Sequence, residues 1–458
     1  MPKVIPECPQ KPNPVPGAVH HYEIELVTPM FGGGIEPRVN DATFPIRPAA
    51  IRGQLQFWWR ATVGSRYATL AKLRDAQTKV WGSTERASHV QVRVENVQVS
   101  EPVPCAHYEY KPPRGEKRAR HDLVWNEPFS TLEQRHWGTE YLPKDVTYAL
   151  FPFQGEKAKR VQPACIPEVV PASAIHQARF RLTITHNSQV NFDREVKPAL
   201  WAWINFGGIG SRTRRGCGVI TCKDFAPTDA ADLKATWMRY ASEAFPQREW
   251  PTLAECLMLR TTEQPGDPIL VWNYVIGEFR HFRQGEELGR NMGQHPNRPG
   301  RSRYPEPETI RCVTQQRSDK HGRLSQIPND AFPRAELGLP IVFHFPPGQG
   351  EPPDTVLYPS PGPDSKKRER MASPLILKPL ALQNGTAIPL ILWLRTSSLE
   401  SVELRRGETP FPESSTMVVR DPRLSKYPNS PLAGSPSGSA IEAFLAYSRA
   451  QGFTEVTR

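Results

Sequence analysis

The sequence lacks the motifs that mark most metal sites, hydrolases with a nucleophilic serine, and sites for nucleoside triphosphates. It contains no CxxC pair, no HExxH, no GxSxG and no Walker-type GxxxxGK[ST], and its histidines are scattered in ones and twos. Zinc, metalloprotease, serine hydrolase and P-loop chemistry therefore have no support, and we expect neither a metal nor a cofactor.

Long apolar runs are also missing. None approaches the ~18 residues of a membrane span, and the opening residues MPKVIPECPQKPNP have no apolar core for a signal peptide. The seven cysteines, an odd number spread through the chain, do not resemble a secreted disulfide framework. We expect a soluble, cytoplasmic protein without membrane association.

Proline and positive charge are abundant instead. The chain has 49 prolines in 458 residues, about twice the usual ~5%, so many ordered turns and long connections are expected. It has 58 Lys+Arg against 47 Asp+Glu, a net charge of +11. This excess favours a polyanionic partner such as nucleic acid, although it also occurs as a solubility feature. The length suggests two or three domains.

Hydrophobic patterns over residues 18 to 226 follow the order strand, helix, strand, strand, helix, strand. The predicted elements are a strand over 21–28, a helix from Pro48, a strand over 90–99 with a bulge near Asn96, a strand over 178–185, a helix over 196–204 and a strand over 216–225. This is the split βαβ order of a ferredoxin-like or RNA-recognition-type domain. Residues 101 to 174, with the basic run KPPRGEKRARH, form an insertion.

The second half, residues 227 to 458, has apolar runs that predict another α+β domain. They are ILVWNYVI, LPIVFHF, PLILKPLAL, IPLILWL and a closing helix at IEAFLAYSRA. The polar, Pro/Gly-rich stretches 285–308 and 346–370 are predicted to be extended loops.

The segment NFGGIGSRTRRGCG, residues 205 to 218, is the strongest candidate for a binding loop. Its glycines permit close approach of a ligand, and its arginines supply charge for phosphates. A Rossmann fingerprint would need glycine at Thr213 and a following helix, so that interpretation fails. The alternative is a capped turn with solvated arginines. The candidate RNA contacts in this loop are Gly207, Gly208, Gly210, Arg212, Arg214 and Arg215.

The first helix offers a second candidate surface. Helical geometry places Arg52, Gln56, Trp59 and Arg60 on one stripe, where the arginines would reach phosphates and Trp59 would stack on a base. The alternative is that the tryptophans are core and the arginines pair with neighbouring carboxylates.

The glycine stretch after the first strand adds Gly32, Gly33 and the flanking Arg47 as candidate contacts. Other basic clusters are as compatible with solvated faces as with binding. They are residues 114–120, Arg280, Arg283 and Arg290, and residues 298–303.

Metal-independent RNA cleavage needs a histidine or carboxylate near the RNA. Asp41, His20 and His21 are the candidates beside the first glycine stretch, although both histidines fit the start of a strand better.

Four segments together resemble the RAMP proteins of CRISPR RNA-guided effectors, in particular the subunit family numbered one of the type III-B (Cmr) complexes. They are TPMFGGGI from Thr28, PIRPAAIRGQLQFWWRA from Pro45, WGST from Trp81 and NFGGIGSRTRRGCG from Asn205. Two departures from the family pattern are Ala49-Ala50, where Ser-Ser is common, and Gln56, where a basic residue is frequent.

The resemblance implies an α+β protein of two ferredoxin-like (RRM-like, βαββαβ) domains with long loop insertions. The first covers residues 18–226, with insertion 101–174 and glycine-rich loop 205–218, and the second covers 227–458. It further implies a non-catalytic RNA-binding subunit of an antiviral ribonucleoprotein, located near the 3′ end of the guide RNA and helping to capture target RNA.

The implied partners are guide crRNA, target RNA, other RAMP subunits and a large polymerase-like subunit. In the family, cleavage belongs to a sibling subunit that uses an aspartate in the loop before its first helix, and Asp41 occupies that loop here. The alternatives are a metal-independent endoribonuclease using Asp41 or His20, and a purely structural cap of the filament.

Overall fold

The computed structural model describes most of the chain as a mixed α/β protein with antiparallel sheets. The described residues are 17–34, 38–113, 120–130, 136–137, 140–141, 145–156, 168–241, 249–261, 265–293, 300–319, 321–345, 350–360, 369–395, 399 and 401–456.

The helices of this part of the chain are distributed along its whole length. In chain order they are α1 Pro48–Ala61, α2 Leu70–Trp81, α3 Val146–Leu150, α4 Phe192–Glu195, α5 Lys197–Phe206, α6 Ala230–Ala241, α7 Pro268–Gln284, α8 Glu306–Thr314, α9 Arg423–Lys426 and α10 Ala440–Ala450.

The strands fall into several sheets. In chain order they are β1 Gly17–Leu26, β2 Met30–Phe31, β3 Val90–Val99, β4 Val103–Pro104, β5 Ala106–Lys111, β6 Arg120–Trp125, β7 His136–Trp137, β8 Glu140–Tyr141, β9 Ser173–Ile175, β10 Ala178–Asn187, β11 Ile220–Thr221, β12 Leu257–Thr261, β13 Ile341–Phe343, β14 Thr355–Pro359, β15 Leu375–Ala381, β16 Ala387–Trp393, β17 Val402–Arg406, β18 Thr409–Phe411 and β19 Phe453–Glu455.

The first sheet has the spatial order β11-β1-β10-β3. With α1 after β1 and α5 after β10, the chain order is the strand–helix–strand–strand–helix–strand order expected from the hydrophobic pattern. The outer strands are the second and the last of the unit, and the first and third lie in the centre. All pairings are antiparallel.

The predicted bulge in β3 is present. Arg179 pairs with Gln98 and Arg181 with Glu95, so the two residues between this pair on β3 oppose a single residue of β10. Asn96 has φ of 53°, a left-handed conformation that asparagine tolerates better than most residues. The slip in the valine pattern near Asn96 therefore reflects the extra residue.

The second sheet repeats this order in the second half. Its spatial order is β15-β16-β12-β19, and its elements follow the chain as β12, α7, β15, β16, α10 and β19. The insertion between α7 and β15, together with β17 and β18, forms a third sheet of order β13-β14-β17-β18. The predicted loops 285–308 and 346–370 are wrong in part, because α8 begins at Glu306 and β14 lies inside the second stretch.

The two halves stack in four layers. The first sheet lies against α1 and α5, and the far side of α5 contacts β15 of the second sheet, whose other face packs on α7. Ile376 and Leu380 join the core that surrounds α1 and α5, while the alternating Leu375 and Leu377 join the core around α7 and α10. Because both faces of β15 are buried, its sequence is apolar at every position except Lys378.

Candidate nucleic-acid interface

The glycine-rich loop packs against the segment that follows β1. Backbone hydrogen bonds run from Gly218 N to Pro29 O (2.9 Å) and from Ser211 N to Phe31 O (2.8 Å). The Thr28 hydroxyl donates to Gly216 O at 2.6 Å and accepts from Val219 N at 2.9 Å. The structure thus brings the two predicted glycine segments together.

The glycines of this contact differ in exposure. Gly32, Gly207 and Gly208 are buried, and their lack of a side chain lets protein approach protein, whereas Gly33 and Gly210 are not buried. Gly210 has φ of +75°, and a Cβ there would lie 2.6 Å from Met30 Cγ. The surface of the loop is formed by Gly210 and the neighbouring Arg212, which is exposed.

Arg214 and Arg215 contact the second half of the chain. Arg214 donates to Ser373 O, and Arg215 donates to Leu375 O at 2.7 Å and to Leu337 O at 3.4 Å. These carbonyls belong to β15 and the segments near it, so both guanidiniums connect the two halves. Burial lowers the pKa of each, and neither is a solvated phosphate contact as the sequence suggested.

Arginines are crowded around this contact. Arg212, Arg283 and Arg214 lie close enough to Arg215 to lower its pKa further, although burial is the largest cause. Among the described residues, neither Arg212 nor Arg283 has a carboxylate within ion-pair distance. Arg283 lies near the C-terminus of α7, and its Nε is buried without an acceptor. Positive charge is therefore concentrated here, and within the described ranges these two guanidiniums have no ion-pair partner.

The polar stripe of α1 is covered by α2. Arg52 donates to Trp81 O at the end of α2, and Arg60 Nη1 donates to Gln77 Oε1 at 3.2 Å. Gln77 Nε2 in turn donates to Gln56 Oε1 at 3.5 Å. The stripe predicted to face RNA is therefore engaged with a helix that the hydrophobic pattern did not reveal.

Trp59 does not form an open stacking surface. Its side chain is 0% exposed and lies 6.1 Å, centroid to centroid, from the Tyr67 ring within the first core. The alternative interpretation, that both tryptophans of this helix are core residues, is the one the structure supports.

Asp41 and Arg47 belong to the turn before α1. Asp41 Oδ1 accepts hydrogen bonds from Phe44 N and Thr43 N, both at 2.9 Å. These bonds, with a smaller contribution from Arg47, hold the pKa of Asp41 below its ordinary value. Arg47 Nη2 donates to Gly34 O at 2.9 Å and so fixes the first glycine stretch.

His20 lies away from the glycine segments. It is the fourth residue of β1, six residues before the strand ends at Leu26. At ~3.3 Å per residue, His20 therefore lies about 20 Å from that end of the strand. Its ring stacks on Phe192 at 3.6 Å, and its Nε2 is 3.2 Å from His186 Nε2. Burial and His186 lower the pKa of His20. The expectation that His20 and His21 flank the glycine stretch is wrong, because the strand carries them to its opposite end.

The remaining basic clusters predicted from the sequence lie only partly within the described residues. Residues 114–119 and 294–299 lie outside the described part of the chain, so the clusters 114–120 and 298–303 are not placed as units. Arg280 pairs with Asp145, whose pKa burial raises. No group of three or more metal-ligating side chains occurs within the described ranges, and no helix there is long and apolar enough to cross a membrane.

One buried charge near the loop was missed from the sequence. Lys378, in the middle of β15, is 0% exposed and donates from Nζ to Gly207 O at 2.9 Å. Burial lowers the pKa of Lys378 to about 7. The only sequence signal was a lysine interrupting the apolar run PLILKPLAL.

Comparison with known proteins finds a family match over part of the chain. Residues 23–221 match the model of the RAMP superfamily. The CRISPR system Cmr subunit Cmr1-2 of Pyrococcus furiosus is 25% identical over 203 residues, which are 43% of this chain and 91% of that protein.

Two solved structures are similar over nearly the whole length. The crystal structure of apo Cmr1 from Pyrococcus furiosus is 14% identical with a TM-score of 0.46, covering 96% of this chain and 98% of that one. A chain of the type III-B Cmr-beta complex bound to cognate target RNA is 12% identical with a TM-score of 0.42, covering 93% and 99%.

Over residues 23–221 the chain is therefore similar to the RAMP superfamily. Within it, the predicted resemblance to subunit one of the Cmr system is confirmed by the match to Cmr1-2.

Proposed function

We propose that this protein is a non-catalytic RNA-binding subunit of a type III-B CRISPR effector in the cytoplasm. It sits near the 3′ end of the guide crRNA, helps capture target RNA, and contacts other RAMP subunits and the large polymerase-like subunit. The RAMP match and the similarity to a Cmr subunit support this role. As in other guided effectors, base pairing reads the sequence while the protein holds the backbone.

The observation that carries the proposal is the unpaired positive charge at the glycine-rich loop. Arg212 is exposed, Arg283 is close by, and neither has a carboxylate partner in the described part of the chain. Crowded like charges destabilise a protein unless an anion binds there. Gly33, Gly210 and Arg212 are the proposed backbone contacts, with Arg47 holding the adjacent turn.

We further propose that residues 18–226 and 227–458 are two ferredoxin-like domains. The same chain order and sheet order in both halves support this assignment. Gly207, Gly208, Arg214 and Arg215 then support the RNA-contacting surface from the domain interface, while Gly32, Arg52 and Arg60 support it from within the first domain.

The RNA-binding role is tested by removing one positive charge from the loop. Arg212→Gln should weaken binding of full-length protein to unrelated single-stranded RNAs by the same factor. It should also reduce the slope of log affinity against log salt by about 0.7, the value for one lost phosphate contact. Arg406→Gln, which changes an exposed arginine of the third sheet, is the matched control. Equal affinities and slopes for all three proteins would refute the loop assignment.

The effector role is tested in the native cell. A tagged copy should recover sibling RAMP subunits, the polymerase-like subunit and short RNAs with a repeat-derived 5′ end. Recovery of the protein alone, free of RNA, would contradict membership in the complex.

A further inference from the structure

A cavity of about 200 Å³ opens between α1, the glycine-rich loop and β15. Its walls include Gly53, Phe57, Trp58, Gly207, Arg214 and Ile376. Gly53 is exposed and Phe57 and Arg214 are half-buried, while Trp58, Gly207 and Ile376 are buried. The cavity therefore has a floor in the interface between the halves and a mouth at the surface of α1.

The floor of the cavity holds a hydrogen-bond donor without an acceptor. Trp58 is 2% exposed, and its Nε1 is buried with no partner. A Cβ on Gly207 would lie 2.7 Å from this atom, so the nitrogen faces the side of the cavity that glycine leaves open. Buried N–H groups are nearly always satisfied, so this donor is available to an acceptor on a ligand. Trp59, Trp81 and Trp201 Nε1 are also buried without an acceptor in the described structure, so the cavity beside it is what distinguishes Trp58.

Gly53 lies at the mouth of the cavity. It lies in the interior of α1, where glycine costs about 1 kcal/mol relative to alanine. A Cβ at Gly53 would meet nothing within 4 Å, so packing does not require glycine there. The helix thus has a destabilising glycine at a position that borders the cavity.

The side walls are flat and partly cationic. The Phe57 ring has the Arg214 guanidinium above it at 5.5 Å from the ring centroid. Aromatic rings and arginine planes are the surfaces on which proteins stack unpaired RNA bases.

We propose that this cavity takes one unstacked nucleobase of single-stranded RNA, which stacks beside Phe57 and accepts a hydrogen bond from Trp58 Nε1. This inference rests on the proposed RNA-binding function and names the ligand group that the loop receives. An apolar cavity of 150 Å³ admits a benzene ring, so a volume of about 200 Å³ admits a six-membered base. The apolar surfaces of Phe57, Trp58 and Ile376 suit a flat ring, and every base offers such a ring with acceptors at its edge.

The test uses full-length protein and a 5-iodouridine-containing RNA oligonucleotide, cross-linked by ultraviolet light and mapped after trypsin digestion. Cleavage after Arg52 and Arg60 releases the peptide Gly53–Arg60, which contains Phe57 and Trp58. In the wild-type protein, this peptide should carry the cross-link.

Gly53→Leu should fill the cavity and reduce that cross-link at least tenfold. Affinity for RNA should fall about tenfold, the loss expected for one stacked base, while the salt slope stays unchanged because no phosphate contact is lost. Gly322→Leu is the matched control, because a Cβ there also meets nothing within 4 Å and its φ is not left-handed. It should leave cross-link and affinity unchanged.

The outcomes separate the two proposals. Wild-type protein that binds RNA without cross-linking to this peptide, or Gly53→Leu that behaves as wild type, overturns the base site and leaves RNA binding intact. Wild-type protein that binds no RNA overturns both. Should Gly53→Leu melt well below wild type, Trp58→Phe keeps the ring and removes only the donor, and an undiminished cross-link in that variant also overturns the site.

Discussion

At the scale of single residues, Lys378 shows how the domain interface constrains chemistry. Its ammonium lies among apolar residues of two packed layers, with Gly207 O as its acceptor. Burial disfavours the charged form, and the fall of the pKa from 10.5 to about 7 corresponds to about 5 kcal/mol of differential interaction. A lysine at this position destabilises the fold at neutral pH and below.

Lys378→Met should therefore raise the free energy of unfolding at pH 6 by about 2–4 kcal/mol. This range is the desolvation cost of the charge minus about 1–3 kcal/mol for Gly207 O, which loses its donor. The gain should shrink as pH rises. Below pH 7 both states hold the proton, whereas between about 7 and 10.5 only the unfolded state does, so wild-type stability rises with pH across that window. Urea unfolding at pH 6 and pH 9.5 measures the difference, and a pH-independent difference would contradict it.

Asp41 gives the second prediction at this scale. Its two backbone hydrogen bonds lower its pKa, which makes its carboxylate a weaker proton acceptor than an ordinary aspartate. With labelled repeat RNA in EDTA, wild type and Asp41→Ala should be equally inactive. Discrete products from wild type that disappear in Asp41→Ala or His20→Ala would instead support the endoribonuclease alternative.

At the scale of elements, the sequence predicted the first unit well because its signals are local. The alternation in β1 and β10, the Pro48 start of α1 and the slip at Asn96 each depend on neighbouring residues only. The helical periodicity of α1 was less reliable, because it placed Trp59, which is 0% exposed, on the polar stripe. These elements form where local pattern and tertiary packing agree.

The candidate site was harder to predict because it depends on contacts between distant segments. Residue type correctly marked the loop 205–218 as unusual, but it did not distinguish the exposed Arg212 from Arg214 and Arg215, which contact residues about 120 to 160 positions away. The role of Arg52 and Arg60 depended on α2, whose apolar positions are too few to stand out. A charged residue in a sequence indicates a binding surface only when no distant residue of the same chain forms a hydrogen bond or ion pair with it.

The glycine-rich loop gives a prediction at the element scale. Gly210→Ala should lower the free energy of unfolding by about 2–3 kcal/mol, because the new Cβ combines a left-handed φ with contacts of 2.6 Å to Met30 Cγ and 2.7 Å to Phe31 O. Gly385→Ala is the control, with φ of +84° and no atom within 4 Å of the Cβ, and should cost only about 1 kcal/mol. Equal losses in chemical unfolding would show that the loop contact is not tight.

At the scale of the whole molecule, the glycine-rich loop is a connection between the halves as well as a surface. Arg215 donates hydrogen bonds to two carbonyls of the second half. Its guanidinium lies 5.0 Å from the centroid of the Phe279 ring, and Trp272 Nε1 donates a hydrogen bond to Arg215 O at 2.7 Å. Arg212, three residues away, lies at the exposed surface of the loop, although burial by the surrounding protein lowers the pKa of its guanidinium. One short loop thus couples the stability of the interface to the position of its exposed cation.

The same substitution at these two arginines should separate the two roles. Arg215→Gln should lower the free energy of unfolding by about 2–4 kcal/mol, because glutamine is too short to reach both carbonyls and leaves buried acceptors unsatisfied. Arg212→Gln should change it by less than about 0.5 kcal/mol, since a surface side chain is lost. RNA affinity should respond in the opposite order when measured below the melting temperature of both variants. If Arg212→Gln instead destabilised the fold and Arg215→Gln did not, the assignment of one arginine to the interface and the other to RNA would have to be reversed.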